Sequence, residues 1–331
     1  MKSTLKRTCL VFVPAALVFG VVATLAQTPA QTQTPKPKHI NRAIEMLEKG
    51  QPIYYTGSHS GTEGSFEQGK KDAQTWADYI SYDMEHAPFD VVGLRAYMQG
   101  LVAGGPTKDG HRTPAVIVNV PVNGTSEAAV RANAWMFQQV LATGVHGVLL
   151  THADEPGAVR AFIEACRFPN REQGVGKEGL QDGRRGEHGT PTAAQIWGIS
   201  PAEYEQKADA WPLNPNGELL LGLKEEDRYA LANVEQNAKI PGLAFAEWGP
   251  GDMALSLGVR NTGRGGNVND PRMQAARAKV FAAVKANHLF FMNAANQNDV
   301  VDMIKEGVMI VAGNQQAAAV GRKFSNNTNP Y

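Results

Sequence analysis

Short apolar runs recur along the chain at regular intervals. They occupy 52–57 (PIYYTG), 76–83 (WADYISYD), 114–121 (PAVIVNVP), 144–152 (GVHGVLLTH), 218–224, 242–248, 288–294 and 307–313. Each is rich in β-branched or aromatic residues and bounded by Gly, Pro, Asn or Asp, which is how strands buried on both faces read. Between them lie stretches with apolar residues at helical spacing. NRAIEMLEKG (41–50) stops on a glycine; TSEAAVRANAWMFQQVLATG (125–144) opens on a Thr/Ser cap and closes on Gly144. Segments 155–168, 271–287 and 296–307 behave in the same way. Eight strands with helices between most of them predict an α/β fold, a (β/α)8 TIM barrel. A doubly wound open sheet is the weaker expectation, because no glycine-rich dinucleotide turn follows the first strand.

One segment breaks the rhythm. Residues 169–217 form a long insertion between strands 4 and 5, glycine-rich and punctuated by proline. Loops of this length are uncommon unless functional, and the expectation is that this one rises from the face that carries chemistry. Within it, ISPAEYEQKADAWPL reads as a helix with Ser200 as cap and Pro201 at its first position.

The first residues do not fit the barrel pattern. Lys2, Lys6 and Arg7 precede an apolar run from Cys9 to Ala26, then a Gln/Thr/Pro tract begins. That order describes a signal peptide over 1–26, a linker over 27–38 and a barrel domain over 39–325. An uncleaved membrane anchor is the bland alternative, but Pro14 and Gly20 interrupt the run. Either way the folded part is expected outside the cytoplasm, periplasmic or secreted, with no membrane contact after cleavage. The remaining chain carries 29 basic against 32 acidic groups, so a nucleic-acid surface is not implied. Cleavage leaves Cys166 as the single thiol, which excludes an internal disulfide. Cys166 reads as a buried helix residue.

In a barrel of this kind the site forms where strands end. The polar residues at those ends are His59, then Asp83, Glu85 and His86, then Asn119, His152, Lys224 with Glu225 to Asp227, Glu247, Asp252, Asn293 and Asn314. Glu226 and Asp252 lie on neighbouring strands, and two carboxylates there suit a divalent ion. An acidic helix start explains KEEDRY equally well from spacing alone. His86 has the chemistry of a general base, although a hydrogen-bonded core histidine is the commoner role. GRGGN (263–267) lacks the Lys-Ser/Thr of a phosphate loop, and GTEGSFEQGK (61–70) reads as a lid or edge of the site.

Three segments carry a resemblance. DMEHAPFD, GVHGVLLTHADEPGAVRAFIEACRFP and EEDRYALANVEQNAKIPGLAFAEWGPGDMALSLGV together resemble the HpcH/HpaI aldolase/citrate lyase family, across roughly residues 40 to 315. The resemblance implies a metal-dependent, pyruvate-type aldolase on a TIM barrel that works as a homo-oligomer. It implies Glu226 and Asp252 as ligands of Mg2+, Mn2+ or Co2+, and His86 as the acid/base, supported by Glu85 or Asp83. Gly249 and Pro250 of the Gly-Pro-x-Asp motif, with Lys224, His59 and His152, are expected to meet substrate. Two departures stand out. Asn119 occupies the place of an arginine that contacts the reacting carbonyl, and Ala142 that of an aspartate expected to pair with the histidine. Lys224 stands where glutamine is usual, two residues before the metal glutamate.

The resulting expectation is a carbon–carbon lyase acting on a small 2-oxo or hydroxy acid through a metal-stabilised enolate. A lyase or hydratase of altered substrate is one alternative. An exported, non-catalytic organic-acid binder is the other.

Overall fold

A computed structural model describes residues 37–57, 60–259 and 267–330. The strands are β1 Ile53–Gly57, β2 Tyr79–Asp83, β3 Ala115–Asn123, β4 Gly147–Thr151, β5 Ala210–Trp211, β6 Leu219–Glu225, β7 Phe245–Trp248, β8 Phe290–Ala294 and β9 Val308–Ala312. The helices are α1 Arg42–Glu48, α2 Phe66–Asp72, α3 Val91–Ala103, α4 Glu127–Ala132, α5 Ala134–Leu141, α6 Pro156–Cys166, α7 Thr190–Trp197, α8 Pro201–Lys207, α9 Arg228–Asn237, α10 Pro250–Ser256, α11 Pro271–Ala286, α12 Val300–Glu306 and α13 Gln315–Phe324. All strand pairs are parallel, in the order β4-β3-β2-β1-β9-β8-β7-β6, and β4 pairs with β6 to close the ring. This is the (β/α)8 barrel that the apolar runs predict. The short β5 adds to β6 outside that ring of eight. None of the described helices is long and apolar enough to cross a membrane. The expected signal peptide and nearly all of the expected linker lie outside the described residues, as does most of GRGGN.

Strand alternation divides the core in two. Outward residues such as Val116, Val118, Leu221 and Leu223 pack against the helices. Inward residues such as Tyr55, Tyr79, Ile117, Leu220 and Phe245 fill the lower barrel. Gly222 is required there, since a Cβ would fall 2.3 Å from the Phe245 ring. The foot is closed by α1, which inserts Ala43, Ile44 and Leu47, and by Trp211, stacked on Phe290 at 5.8 Å.

Two expectations change. The single helix over 125–144 is broken at Asn133, whose side-chain amide donates to the Ala129 carbonyl at 2.9 Å and whose backbone leaves helical geometry. The insertion between the fourth and fifth barrel strands does not rise from the chemical face. It follows α6, which has already carried the chain back to the foot, so α7, α8 and β5 pack there. Trp197 donates to the Gly144 carbonyl just below β4, the Tyr204 hydroxyl donates to the Leu141 carbonyl, and β5 pairs with the first residues of β6. Arg185 is absorbed into the same packing, donating to the Tyr204 hydroxyl at 2.7 Å. The Ser200 cap and Pro201 start of α8 are as read from the sequence.

Candidate active site

The same inward parity that gives Tyr79, Ile117, Leu220 and Phe245 turns polar at the upper strand ends. It delivers Asp83, Asn119, Lys224 and Glu247, with Asp83 opposite Asn119 and Lys224 opposite Glu247 in register. A buried polar layer of this kind costs stability unless its members find partners.

Asp83 organises the β2 end. One carboxylate oxygen accepts from the backbone N–H groups of Glu85 (2.9 Å) and His86 (3.3 Å); the other accepts from Gly61 N–H (2.9 Å) and from His86 Nδ1 (2.9 Å). Gly61 has φ of +92°, and a Cβ there would meet His86 O at 2.8 Å, so glycine is needed for this approach. The stretch from Gly61 is thereby stitched to the site as its edge. With Nδ1 held by Asp83, the partly exposed His86 presents Nε2 to the mouth, 4.0 Å from Glu85 Oε1. The carboxylate behind the histidine is therefore Asp83, three residues upstream. Ala142, which the resemblance put in that role, follows α5 at the foot and abuts Gly189, because an αβ connection cannot reach the rim.

Glu226 is buried, facing Lys224 and Glu85. Lys224 Nζ lies 2.6 Å from Glu85 Oε2 and 3.2 Å from Glu226 Oε2. Burial, with Glu85 and Glu247 adding like charge, raises the Glu226 carboxyl to about 7 against the pull of Lys224 and His152. Glu247 is also raised, by burial first and then by Glu85 and Asp83. For Lys224, burial works against the charge, but Glu226, Glu247 and Glu85 outweigh it and hold the ammonium protonated. The two preceding acids of KEEDRY thus leave the helix start altogether. Glu225 turns outward to Asn237 Nδ2 (3.3 Å), and Asp227 alone caps α9, accepting from Tyr229 and Ala230 N–H.

His152 closes the far side. Its backbone N–H donates to Glu226 Oε1 at 3.0 Å, its Nδ1 lies 3.1 Å from Asp227 Oδ2, and its φ is +46°. A left-handed backbone at a non-glycine residue costs about 1 kcal/mol and collects at functional sites. The Asp227 hydrogen bond raises the imidazole to about 9, against burial and with help from Glu226.

Of the remaining expected residues, Asn119 is buried in the barrel wall beside Asp83. Gly249 lies against Glu226, whose Oε2 is 2.7 Å from where a Cβ would sit, and Pro250 opens α10. Asp252 is in the first turn of α10 and joins neither convergent group of metal-type ligands among the described residues. His59 lies outside the described residues. Asn293 turns outward to Met303, away from the mouth. Sequence reasoning placed Glu247 and Asp227 among the polar strand-end residues but gave neither a role. The parity of β7, with Phe245 inward, is the signal that marks Glu247.

The donors suit a divalent cation. Glu85, Glu226 and His152 each offer one ligand atom, all within 4.8 Å of one another, and Asp83, Glu85 and His86 form a second such group. The raised Glu226 and Glu247 carboxyls mark a surplus of negative charge that a hard cation relieves.

A parallel barrel with an acidic, histidine-bearing mouth at its strand ends defines an enzyme-like class of fold and site. Comparison with known proteins narrows it: the family described as HpcH/HpaI aldolase/citrate lyase matches residues 70–319, and the chain belongs to that family. It is 29% identical over 181 residues to a hydroxypyruvate/pyruvate aldolase of Deinococcus radiodurans, covering 55% of this chain and 52% of that protein. It is 28% identical over 209 residues to a 4-hydroxy-2-oxovalerate aldolase of Rhodococcus jostii, covering 63% and 65%. The matches thus span between half and two thirds of the length of these relatives. A crystal structure of a family protein from Burkholderia cenocepacia superposes with a TM-score of 0.63 at 22% identity, covering 86% of this chain and 97% of that one, a likeness of fold.

Proposed function

We propose that the protein is a carbon–carbon lyase, an aldolase of the metal-dependent kind, acting on a small 2-oxo acid at the mouth of the barrel. The observation that supports this most directly is the pairing of a mouth-facing imidazole, fixed by Asp83, with a cation-deficient carboxylate cluster around Glu226. The family and the names of the relatives agree with lyase chemistry. Glu226, with Glu85 and His152 as neighbours and Asp252 from the next loop, would hold Mg2+, Mn2+ or Co2+. A cation bound there supplies the positive charge against which the keto oxygen of the substrate gains electron density.

The chain's own residues handle the protons. The His86 Nδ1–H donates to Asp83, which leaves the Nε2 lone pair directed at the mouth. In the cleavage direction Nε2 takes the proton of the 4-hydroxyl, the C3–C4 bond breaks, and an aldehyde leaves. The proton then returns to C3 of the enolate, giving a 2-oxo acid. Asn119, neutral where the resemblance implies arginine, lies beside Asp83 in the barrel wall and would have only an amide N–H to give a substrate carbonyl.

The test is pyruvate release from 4-hydroxy-2-oxo acids by purified protein supplied with Mn2+, followed by NMR of the products. Pyruvate and aldehyde in equal amounts, lost in His86→Ala, are expected. An unsaturated acid instead would move the reading to elimination; binding without turnover would move it to a non-catalytic binder. The proposal extends to export, which rests on residues 1–26 and is checked by cell fractionation, and to a homo-oligomer, checked by light scattering.

A further inference from the structure

The carboxylates that would take the divalent cation already face a cation that belongs to the chain. Lys224 Nζ approaches Glu85 at 2.6 Å and Glu226 at 3.2 Å, and these are two of the three residues of the convergent ligand group. The lysine side chain is 7% exposed and the two carboxylates 9% and 2%, so little water separates them. A divalent ion bound to the same oxygens at about 2.0–2.6 Å would stand against the ammonium at a separation where the two charges repel strongly. The two cations therefore compete for the pair.

We propose that Lys224 is a tethered counter-ion that competes with the divalent cation for Glu85 and Glu226 and so sets the metal affinity of the site. Metal entry then requires the ammonium to leave. Glu247 is the group placed to receive it: it lies opposite Lys224 in the β6–β7 register and, two residues beyond the inward Phe245, on the same inward face.

 Displaced from its first pair of carboxylates, the ammonium would remain beside an acid, so the move keeps its charge compensated. The inference rests on the proposed metal-dependent reading of this same site.

The experiment is Mn2+ binding to the purified full chain, followed by electron paramagnetic resonance of the free ion, which reads affinity without turnover. Lys224→Gln is expected to bind Mn2+ about tenfold or more tightly than wild type, because one competing charge is gone. Lys224→Arg keeps a cation and stays near wild type. Glu247→Gln weakens binding in wild type by removing the acceptor, and has no such effect in the Lys224→Gln background. Circular dichroism melts check folding; should Lys224→Gln fail to fold, Lys224→Met and Glu247→Gln carry the same comparison. Equal Mn2+ affinity in wild type and Lys224→Gln overturns the lysine inference alone. Absence of Mn2+ binding in both overturns the metal reading and this inference together.

Discussion

The mouth and the foot of this barrel both bury charge, and they do so in opposite ways. At the foot, Asp78 is fully buried and accepts from Arg42 (3.3 Å), Arg322 (2.9 Å) and the Tyr54 N–H (2.9 Å). Arg42 also reaches Asp109 at 2.8 Å, and Arg167 grips Asp209 through two bonds of 2.6 and 3.2 Å. Opposite charges meet there, and the Asp109 carboxyl is held at about 2: burial opposes this, but His111 and Arg42 outweigh it. At the mouth, Glu85, Glu226 and Glu247 crowd one lysine, and Glu226 rises to about 7. Paired burial fixes a structure; unbalanced burial holds a site ready for a cation or a substrate.

The comparison breaks most visibly if the foot can lose a charge cheaply. Asp78→Ala is expected to cost about 3–5 kcal/mol in urea unfolding, since two guanidinium groups lose their buried carboxylate. Turnover per folded molecule should stay at the wild-type level. Glu226→Gln tests the other end: activity should fall about a hundredfold or more, as for loss of a metal-site group, while stability holds or rises. A stability loss like that of Asp78→Ala would make the mouth structural as well.

The smallest effect is in the pH dependence of the foot. Asp109 has its carboxyl lowered on folding, so its contribution is present above the unfolded value of about 4 and disappears as the pH falls through about 2. Wild type should lose roughly 1–2 kcal/mol over that window. Asp109→Asn should lose correspondingly less, measured by urea midpoints at each pH.

Much of the barrel was legible because each strand announces itself as an apolar run, and the runs at 52–57 through 307–313 all coincide with barrel strands. The direction of the insertion was legible too, had the helix over 155–168 been counted before it: one helix returns the chain to the foot. Side-chain parity was the harder part. KEEDRY shows five charged residues in a row, but only the fold sends Lys224 and Glu226 inward, Glu225 outward and Asp227 to a cap. The support of His86 was narrowed to Asp83 or Glu85 without a choice between them, for a related reason. A short loop folds Asp83 back onto its own neighbour, and no spacing rule distinguishes that from a partner on another element.

The closed foot has a further consequence for rearranging the chain. Arg42 Nη2 donates to the Pro330 carbonyl at 3.1 Å, and Gln51 reaches the Ser325 carbonyl, so the first helix and the last described residues meet on the side away from the mouth. A short linker can join those two points into a ring. New ends opened in the exposed stretch around Glu172 to Lys177 would then leave every strand end at the mouth uncut, giving a circular permutant that keeps the site while its termini move to another flank of the foot.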